Sequence, residues 1–415
     1  MKKTFFVICI LFCIFLCGCI CADTSNDTTL PSSQNYAVIL PQNADATENY
    51  LANYLKDHLD NKGALPPVDL NKYGKNHLEI VITRSPEQKE KLGFEIWLNE
   101  GRLSISYHSL RAFEELLKFI DKGKLEDLKD AERLFVPVEN TECNGTLLCE
   151  KRLGDVRAMY YNVYSGSNNG ATPSIRQPFQ KELIRQYSPD VAGFQEYSST
   201  YHNGFTPMLK DLGYEELSSP RKDLNCTPIF YKKDTLELLY SGHLLYSDTG
   251  DYSKSISWGI FLHKENGKIF GFLNTHFTFR RDGIDANALR VSNSKEALGV
   301  FLELQARYLG IPLILGGDFN CKKGSDPHEI LSSGGLACAF EEAEYKNSTR
   351  GHHQFSVYDT EREIFSQYTL PSGNHNSAID HVYKNSFALI HSYFMPTTPI
   401  TLCCSDHLPV IIEFS

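Results

Sequence analysis

The chain ends on a run that leaves little choice of structure. Cys403-Cys404-Ser405-Asp406-His407-Leu408-Pro409 is followed by Val410-Ile411-Ile412-Glu413-Phe414. A β-branched apolar run behind a polar turn is the pattern of a buried strand. Asp406 and His407 therefore stand at a strand mouth, where a carboxylate beside an imidazole can bind a metal and move a proton. Taken alone, such a pair is as ordinary as any on a protein surface.

Five upstream segments repeat the arrangement. They are Met159–Tyr164 with Asn162, Pro189–Glu196 ending in Gln195-Glu196, and Gly271–Phe277 with Asn274-Thr275-His276. Pro312–Asn320 ends in Gly317-Asp318-Phe319-Asn320, and Ala378–Tyr383 carries Asp380-His381. Each reads as an apolar strand whose C-terminal end holds an acid, amide or imidazole. Sites are built at strand ends, where rigid backbone holds the groups and loops admit substrate. Singly, each has a plainer reading. Asn162 and the Asp318/Asn320 pair suit turns, His276 suits a core, and Glu196, Asp380 and His381 suit solvated ends. Six such segments in one chain argue for one shared site.

Their order resembles the endonuclease/exonuclease/phosphatase superfamily, whose members are deoxyribonuclease I-like, over Arg157 to Phe414. Gly317-Asp318-Phe319-Asn320 and Ser405-Asp406-His407-Leu408-Pro409 are its most specific pieces, followed by Gln195-Glu196 and Asn274-Thr275-His276. The resemblance implies an α/β fold, a two-sheet α/β sandwich with helices outside and the site at the sheet tops. It also implies a Mg2+ or Mn2+ cofactor held by Glu196, Asn162 and Asp406, since hard oxygen ligands suit these ions. By the same resemblance, His407 is the general base or the phosphate's electrostatic partner, and Asp380 fixes its tautomer. His276 donates to the phosphate or leaving group, Asp318 orients or deprotonates the attacking water, and Asn320 donates its amide to the phosphate.

Departures narrow the subfamily. Inositol polyphosphate 5-phosphatases carry Pro-Ala-Trp-Cys-Asp-Arg where this chain has Ser377-Ala378-Ile379-Asp380-His381. Abasic-site endonucleases carry a tyrosine in the region of His276. The segment Tyr252 to Phe261, with Trp258, resembles secreted bacterial members of unassigned substrate. The expected activity is phosphoester hydrolysis, first as a phosphodiesterase and next as a nuclease on DNA or RNA. A catalytically silent glycan-binding or surface protein is the alternative of another class.

Charge bears on that choice. The formal net charge is -10, whereas a nucleic-acid binder presents a basic face. Arg280-Arg281 and Lys322-Lys323, just after His276 and Asn320, either face a substrate phosphate or are solvated loop charges.

The start, Met1-Lys2-Lys3-Thr4 then Phe5 to Leu16, reads as a signal peptide over residues 1–22, with a polar tether over 23–34. Leu16-Cys17-Gly18-Cys19 resembles a lipobox with Cys19 lipidated, and cleavage after Ala22 is the alternative. Either way the expected location is extracytoplasmic, secreted or lipid-anchored. Of 12 cysteines, Cys143 and Cys149 flank a Gly145 turn and are the best disulfide candidates outside the cytosol. Cys403 and Cys404 point to opposite faces if they lie on a strand. Sequons stand at Asn26, Asn144, Asn225 and Asn347.

Residues 35–123 form a separate block. Tyr36–Pro41 and Leu78–Thr83 read as strands, and Phe94–Leu98 with Leu103–Tyr107 as a hairpin. Ala46–Leu59, with Leu51, Tyr54, Leu55 and Leu59 on one stripe, and Leu110–Ile120 read as helices. This order resembles the small α+β domain that precedes the barrel in α-glucuronidases and β-hexosaminidases. It is expected to be an accessory domain, with glycan contact as a minor reading. Residues 124–151 are charged and read as a linker, and 152–415 as the catalytic domain. Every candidate site residue lies at or after Asn162, so the first block is expected to be dispensable for chemistry. No obligate protein partner is evident in the sequence.

Overall fold

In the computed structural model, the described residues are 36–61, 70–73, 75, 77–85, 93–108, 110–137, 151–167, 170–217, 225–247, 253–279, 285–347, 351–352, 357–367, 373–397 and 399–415. The leader, the tether, Cys143 with Cys149, Asn26, Asn144 and Arg280-Arg281 lie outside them.

The first block holds β1 (Tyr36–Ile39), α1 (Ala46–Asn61), β2 (Leu78–Arg84), β3 (Gly93–Asn99), β4 (Arg102–Tyr107) and α2 (Leu110–Asp121). Its sheet has the order β1-β2-β4-β3-β5. The last strand, β5 (Arg133–Pro137), pairs antiparallel with β3 and lies inside the stretch expected to be a linker. Leu125 and Leu128 of that stretch are also buried. The alternation of Leu134 and Val136 with Arg133 and Phe135 is a strand pattern, obscured in the sequence by the charged residues before it. Helix α1 starts with a capping box. The Asp45 carboxylate accepts from the Thr47 and Glu48 amides, and Glu48 accepts from the Asp45 amide. Its buried stripe is Tyr50, Leu51, Leu55 and Leu59. Tyr54, expected on that stripe, is half-buried and donates to Asp121.

The rest of the chain begins with β6 (Val156–Asn162), α3 (Pro173–Tyr187), β7 (Val191–Gln195), α4 (Ser199–Asp211), β8 (Tyr214–Glu216) and β9 (Ile229–Lys232). Next come β10 (Leu236–Leu245), β11 (Ser255–His263), β12 (Ile269–His276), α5 (Ala286–Arg307), β13 (Leu313–Asp318) and α6 (Asp326–Ser333). Short elements follow: β14 (Ala337–Cys338), α7 (Ala339–Glu342), β15 (Tyr345–Lys346), β16 (Val357–Asp359) and β17 (Ile364–Gln367). The chain closes with β18 (Asp380–Lys384), β19 (Ile390–Phe394), α8 (Pro399–Cys404) and β20 (Val410–Phe414).

Apart from β16 and β17, which pair with each other, these strands form a six-stranded sheet, β10-β11-β12-β13-β18-β14, and a seven-stranded sheet, β15-β19-β20-β6-β7-β9-β8. The two stack face to face over a core of Ala158, Tyr160, Phe272, Ile314, Val382 and Ile412. Helices α3, α4 and α8 cover the outside of one sheet, and α5 and α6 the outside of the other. That is the two-sheet sandwich expected. Central strands are buried on both faces, which is why β7, β13 and β20 read as largely apolar runs.

The sheets approach most closely beside the polar strand ends. The Tyr160 ring stacks on Phe272 with centroids 4.6 Å apart. It lies where a Cβ on Gly316 would sit, 2.5 Å from that ring, so only glycine fits there. Gln195 donates to the Asn274 side-chain oxygen (2.6 Å), and Asn274 donates to the Phe194 carbonyl (2.8 Å). Asn274 is thus a bridge between sheets.

Two expectations change here. Cys403 and Cys404 lie on α8, not on a strand, and both are buried because that helix is packed all round. The sequon at Asn225 is buried, its side chain engaged with Thr227 and Ser257. Asn347 is half-buried and exchanges hydrogen bonds with the Met395 backbone.

Candidate active site

Strand register assembles the site. On one sheet Ser255 lies opposite His276, His276 opposite Asp318, and Asp318 opposite Asp380. On the other, Asn162 ends β6 and Glu196 directly follows β7, while Asp406 and His407 lead into β20, whose Val410 pairs with Tyr160. Parallel pairing of β6 with β7 and of β12 with β13 brings four C-terminal ends to one mouth. Asp380 departs from the expected pattern. Strand β18 runs antiparallel to β13, so Asp380 opens its strand instead of closing it, and still reaches the same mouth.

Asp318 is the focus. It is buried, and its Oδ2 accepts from Asn162 Nδ2 at 3.0 Å. The same oxygen lies 3.5 Å from His276 Nε2 and 3.9 Å from His407 Nε2. Its Oδ1 accepts from the Asn320 amide at 2.8 Å, an Asx turn. Oδ1 thus makes the turn, and Oδ2 faces the polar groups at the mouth. His407 Nδ1 donates to Asp380 Oδ2 at 2.8 Å, which fixes the orientation of the ring. Asn320 spends a side-chain hydrogen on the Phe277 carbonyl (3.1 Å).

Across the mouth, Glu196 Oε2 accepts from the Ser165 amide (2.9 Å) and hydroxyl (3.0 Å), and Oε1 faces Asn162 Nδ2 at 3.3 Å. Asn162 Oδ1 accepts from the Tyr164 amide at 3.0 Å. The Ser405 hydroxyl donates to the Asn162 carbonyl (2.7 Å) and ties the Asp406 turn to β6. Three non-glycine residues at the mouth hold left-handed backbone, Tyr164 (φ 58°), Glu196 (φ 57°) and Asn320 (φ 50°). Such conformations cost of order 1–3 kcal/mol each and cluster at functional sites.

The electrostatics divide the groups. Burial pushes Asp318 up to about 7, against the pull of His407. Burial opposes a charge on His407, but Asp380, Asp406 and Asp318 overcome it and hold the imidazole well above its ordinary range. His276 goes the other way, held well below by burial and by Lys254. Burial also raises Glu196, but hydrogen bonds from Ser165 and the charge of His407 outweigh it, and the net direction is down. Asp406 is raised by burial, with the neighbouring Glu196 adding to it.

A divalent cation suits this donor set. Glu196 and Asp406 are hard-oxygen carboxylates close enough for one charge to disfavour the other, and a cation relieves that repulsion. Asn162 keeps a lone pair on its amide oxygen beyond the Tyr164 bond. Asp318, Asp380 and His407 also bring ligand atoms within 4.8 Å of one another. Within that trio His407 Nδ1 is bonded directly to Asp380 Oδ2 at 2.8 Å.

One residue escaped the sequence reading. Lys254 is buried, and its Nζ donates to His276 Nε2 at 2.7 Å. A lone lysine between serines carries no motif. Its only signal is positional, one residue before Ser255, the partner of His276 in the ladder. Lys323 of the expected basic pair is exposed and bonded to Glu341.

His381, beside Asp380, turns away into the core. It is fully buried, donates through Nε2 to the Cys321 carbonyl (2.9 Å), and is pushed down to about 4 by burial. A depressed histidine stabilises the fold above its unfolded value near 6.5 and loses that contribution as pH falls toward its folded value. Replacing it by glutamine, which keeps a donor, is expected to flatten the pH dependence of unfolding. Between pH 6.5 and 4.5 the slope should drop by about 1 kcal/mol per pH unit. Urea unfolding of both proteins at matched pH values reads this directly, and identical slopes would contradict it.

Comparison with known proteins agrees with the architecture. The sequence matches the Endonuclease/Exonuclease/phosphatase family over residues 159–407. No curated protein sequence matches. Among solved structures, a family protein from Bacteroides thetaiotaomicron is 22% identical, with a TM-score of 0.50 over 63% of this chain and 97% of that one. A functionally unknown conserved protein from Enterococcus faecalis V583 is 18% identical, with a TM-score of 0.50 over 62% of this chain and 99% of that one. The mannosyl-6-phosphatase of Bacteroides thetaiotaomicron VPI-5482 is 22% identical, with a TM-score of 0.49 over 63% of this chain and 99% of that one.

Proposed function

The chain belongs to the Endonuclease/Exonuclease/phosphatase family, a family of phosphoester hydrolases, and we propose that it is a Mg2+- or Mn2+-dependent phosphodiesterase. The observation that carries the reading is the Asp318 carboxyl facing His276 and His407, opposite the carboxylates Glu196 and Asp406. Glu196, Asp406 and Asn162 would hold the ion. When bound, it neutralises the non-bridging phosphate oxygens and the leaving oxygen.

The remaining residues divide the proton work. Asp318, poised about 7, is matched to take a proton from water at neutral pH. His407 is held charged by Asp380 and faces the same oxygen, so it serves as the cation beside the phosphate. His276 is neutral, with Lys254 donating to its ring, and this pair presents positive charge from the opposite side. Location outside the cytoplasm, secreted or lipid-anchored at Cys19, is part of the same proposal. It is supported by the basic start and the apolar run that follows.

Chelation is the direct test. Hydrolysis of bis-p-nitrophenyl phosphate is expected to fall to background in EDTA and to return with Mg2+ or Mn2+. Undiminished turnover in EDTA would remove the metal from the reading. The same assay on DNA, RNA, sphingomyelin and phosphoinositides separates diesterase substrates from nuclease ones.

A further inference from the structure

The metal-side carboxylate does not stand on its own strand alone. Its bonds come from the stretch 163–167 that follows β6. Tyr164 donates its amide to Asn162 and Ser165 gives both its donors to Glu196, so two consecutive residues orient both ligands. Tyr164 does this in left-handed backbone that a tyrosine rarely adopts. Something must hold the loop there, and two buried side chains reach it from below.

Arg176, in the first turn of α3, has no exposed surface. One guanidinium nitrogen donates to the Ala171 carbonyl at 3.0 Å. The other donates to the Tyr164 carbonyl at 2.6 Å and the Gly166 carbonyl at 3.0 Å. Its plane also lies over the Tyr164 ring, 5.1 Å from the centroid. From α4, the buried Tyr201 hydroxyl donates to the Val163 carbonyl at 2.6 Å, with the Tyr164 carbonyl at 3.2 Å. The carbonyls on both sides of Ser165 are thereby fixed, and with them the direction of its amide.

We propose that Arg176 and Tyr201 are positioning residues for metal binding, pinning residues 163–166 so that Tyr164 and Ser165 present Asn162 and Glu196 to the cation. This rests on the reading of Glu196 and Asn162 as ligands. Arg176 spans several carbonyls because its planar fork reaches acceptors in different directions, which an ammonium cannot do. Arg176→Lys keeps the charge and loses that span. Tyr201→Phe removes a single hydroxyl.

The test measures Mn2+ binding to the full chain by isothermal titration and by electron paramagnetic resonance, beside thermal unfolding and turnover on bis-p-nitrophenyl phosphate. Partners outside the ligand sphere are worth ~10–100-fold in metal affinity. Both variants are expected to bind Mn2+ at least about tenfold more weakly, with turnover largely recovered at saturating Mn2+. Should Arg176→Lys fail to fold, Tyr201→Phe carries the measurement. A folded variant with parental Mn2+ affinity would make these residues merely structural and overturn the inference, leaving the site reading intact. A parent protein that binds no Mn2+ would overturn the ligand assignment, and the inference with it.

Discussion

Replacing His407 by alanine is expected to lower turnover on a small phosphodiester by ~10²–10³-fold, the usual worth of one positioned group that stabilises transition-state charge. Its Nδ1 is bonded to Asp380 and its Nε2 faces Asp318, so its loss takes the charge from the phosphate side and strands two buried carboxyls. Asp380→Asn should cost less, because the imidazole stays in place and loses only its orienting partner. The double variant should be no slower than His407→Ala alone, since residues that act as one unit are strongly non-additive. The measurement is kcat for the three proteins at saturating Mg2+, with thermal unfolding as the control for folding. Losses that multiply in the double variant would show that Asp380 acts apart from His407.

That unit was legible in the sequence because strand ends are marked twice, by an apolar run and by the polar residue that stops it. Asn162, Glu196, His276, Asp318 and His407 all stand where such a run meets a turn. What escaped lies where the chemistry depends on register or on helix packing. Lys254 reaches His276 only because β11 pairs antiparallel with β12, which a single lysine cannot announce. Strand β5 reads as linker because Leu134 and Val136 are few and follow a charged stretch, while the partner that selects them, β3, is more than thirty residues away. Cys403 and Cys404 precede a strand and invite the same reading, yet Gln180 of α3 donates to the Cys404 carbonyl and the segment winds into helix before the site turn.

Removing residues 1–150 is expected to destabilise the protein severely, against the expectation that the first block is dispensable. Tyr50 of α1 packs edge-on against Phe179 of α3, with centroids 5.6 Å apart, and lies 6.2 Å from Phe365 of β17. Arg84 pairs with Glu182 of α3 at 2.7 Å, and Asp57 with Arg362 at 3.0 Å. Buried Glu114 of α2 accepts the amide of Ile400 on α8, the helix that runs into Ser405-Asp406-His407. Phe179, Phe365 and Ile400 are buried in one continuous cluster with the helices of the first block. Exposing each costs roughly 1.5–3 kcal/mol. Three together approach the whole stability of an ordinary domain, about 5–15 kcal/mol. A chain beginning near Lys151 should therefore be insoluble or unfold far below the parent, and lose turnover because α8 no longer holds the Asp406–His407 turn. Tyr50→Ala in the full chain isolates the packing term and should cost about 3 kcal/mol in urea unfolding. A shortened protein that melts within a few degrees of the parent and keeps its rate would return the first block to a detachable accessory. The intermediate result, a stable but slow shortened protein, would place its contribution in the α8 contact, where Glu114→Leu, which removes the acceptor of the Ile400 amide, should reproduce the slow rate.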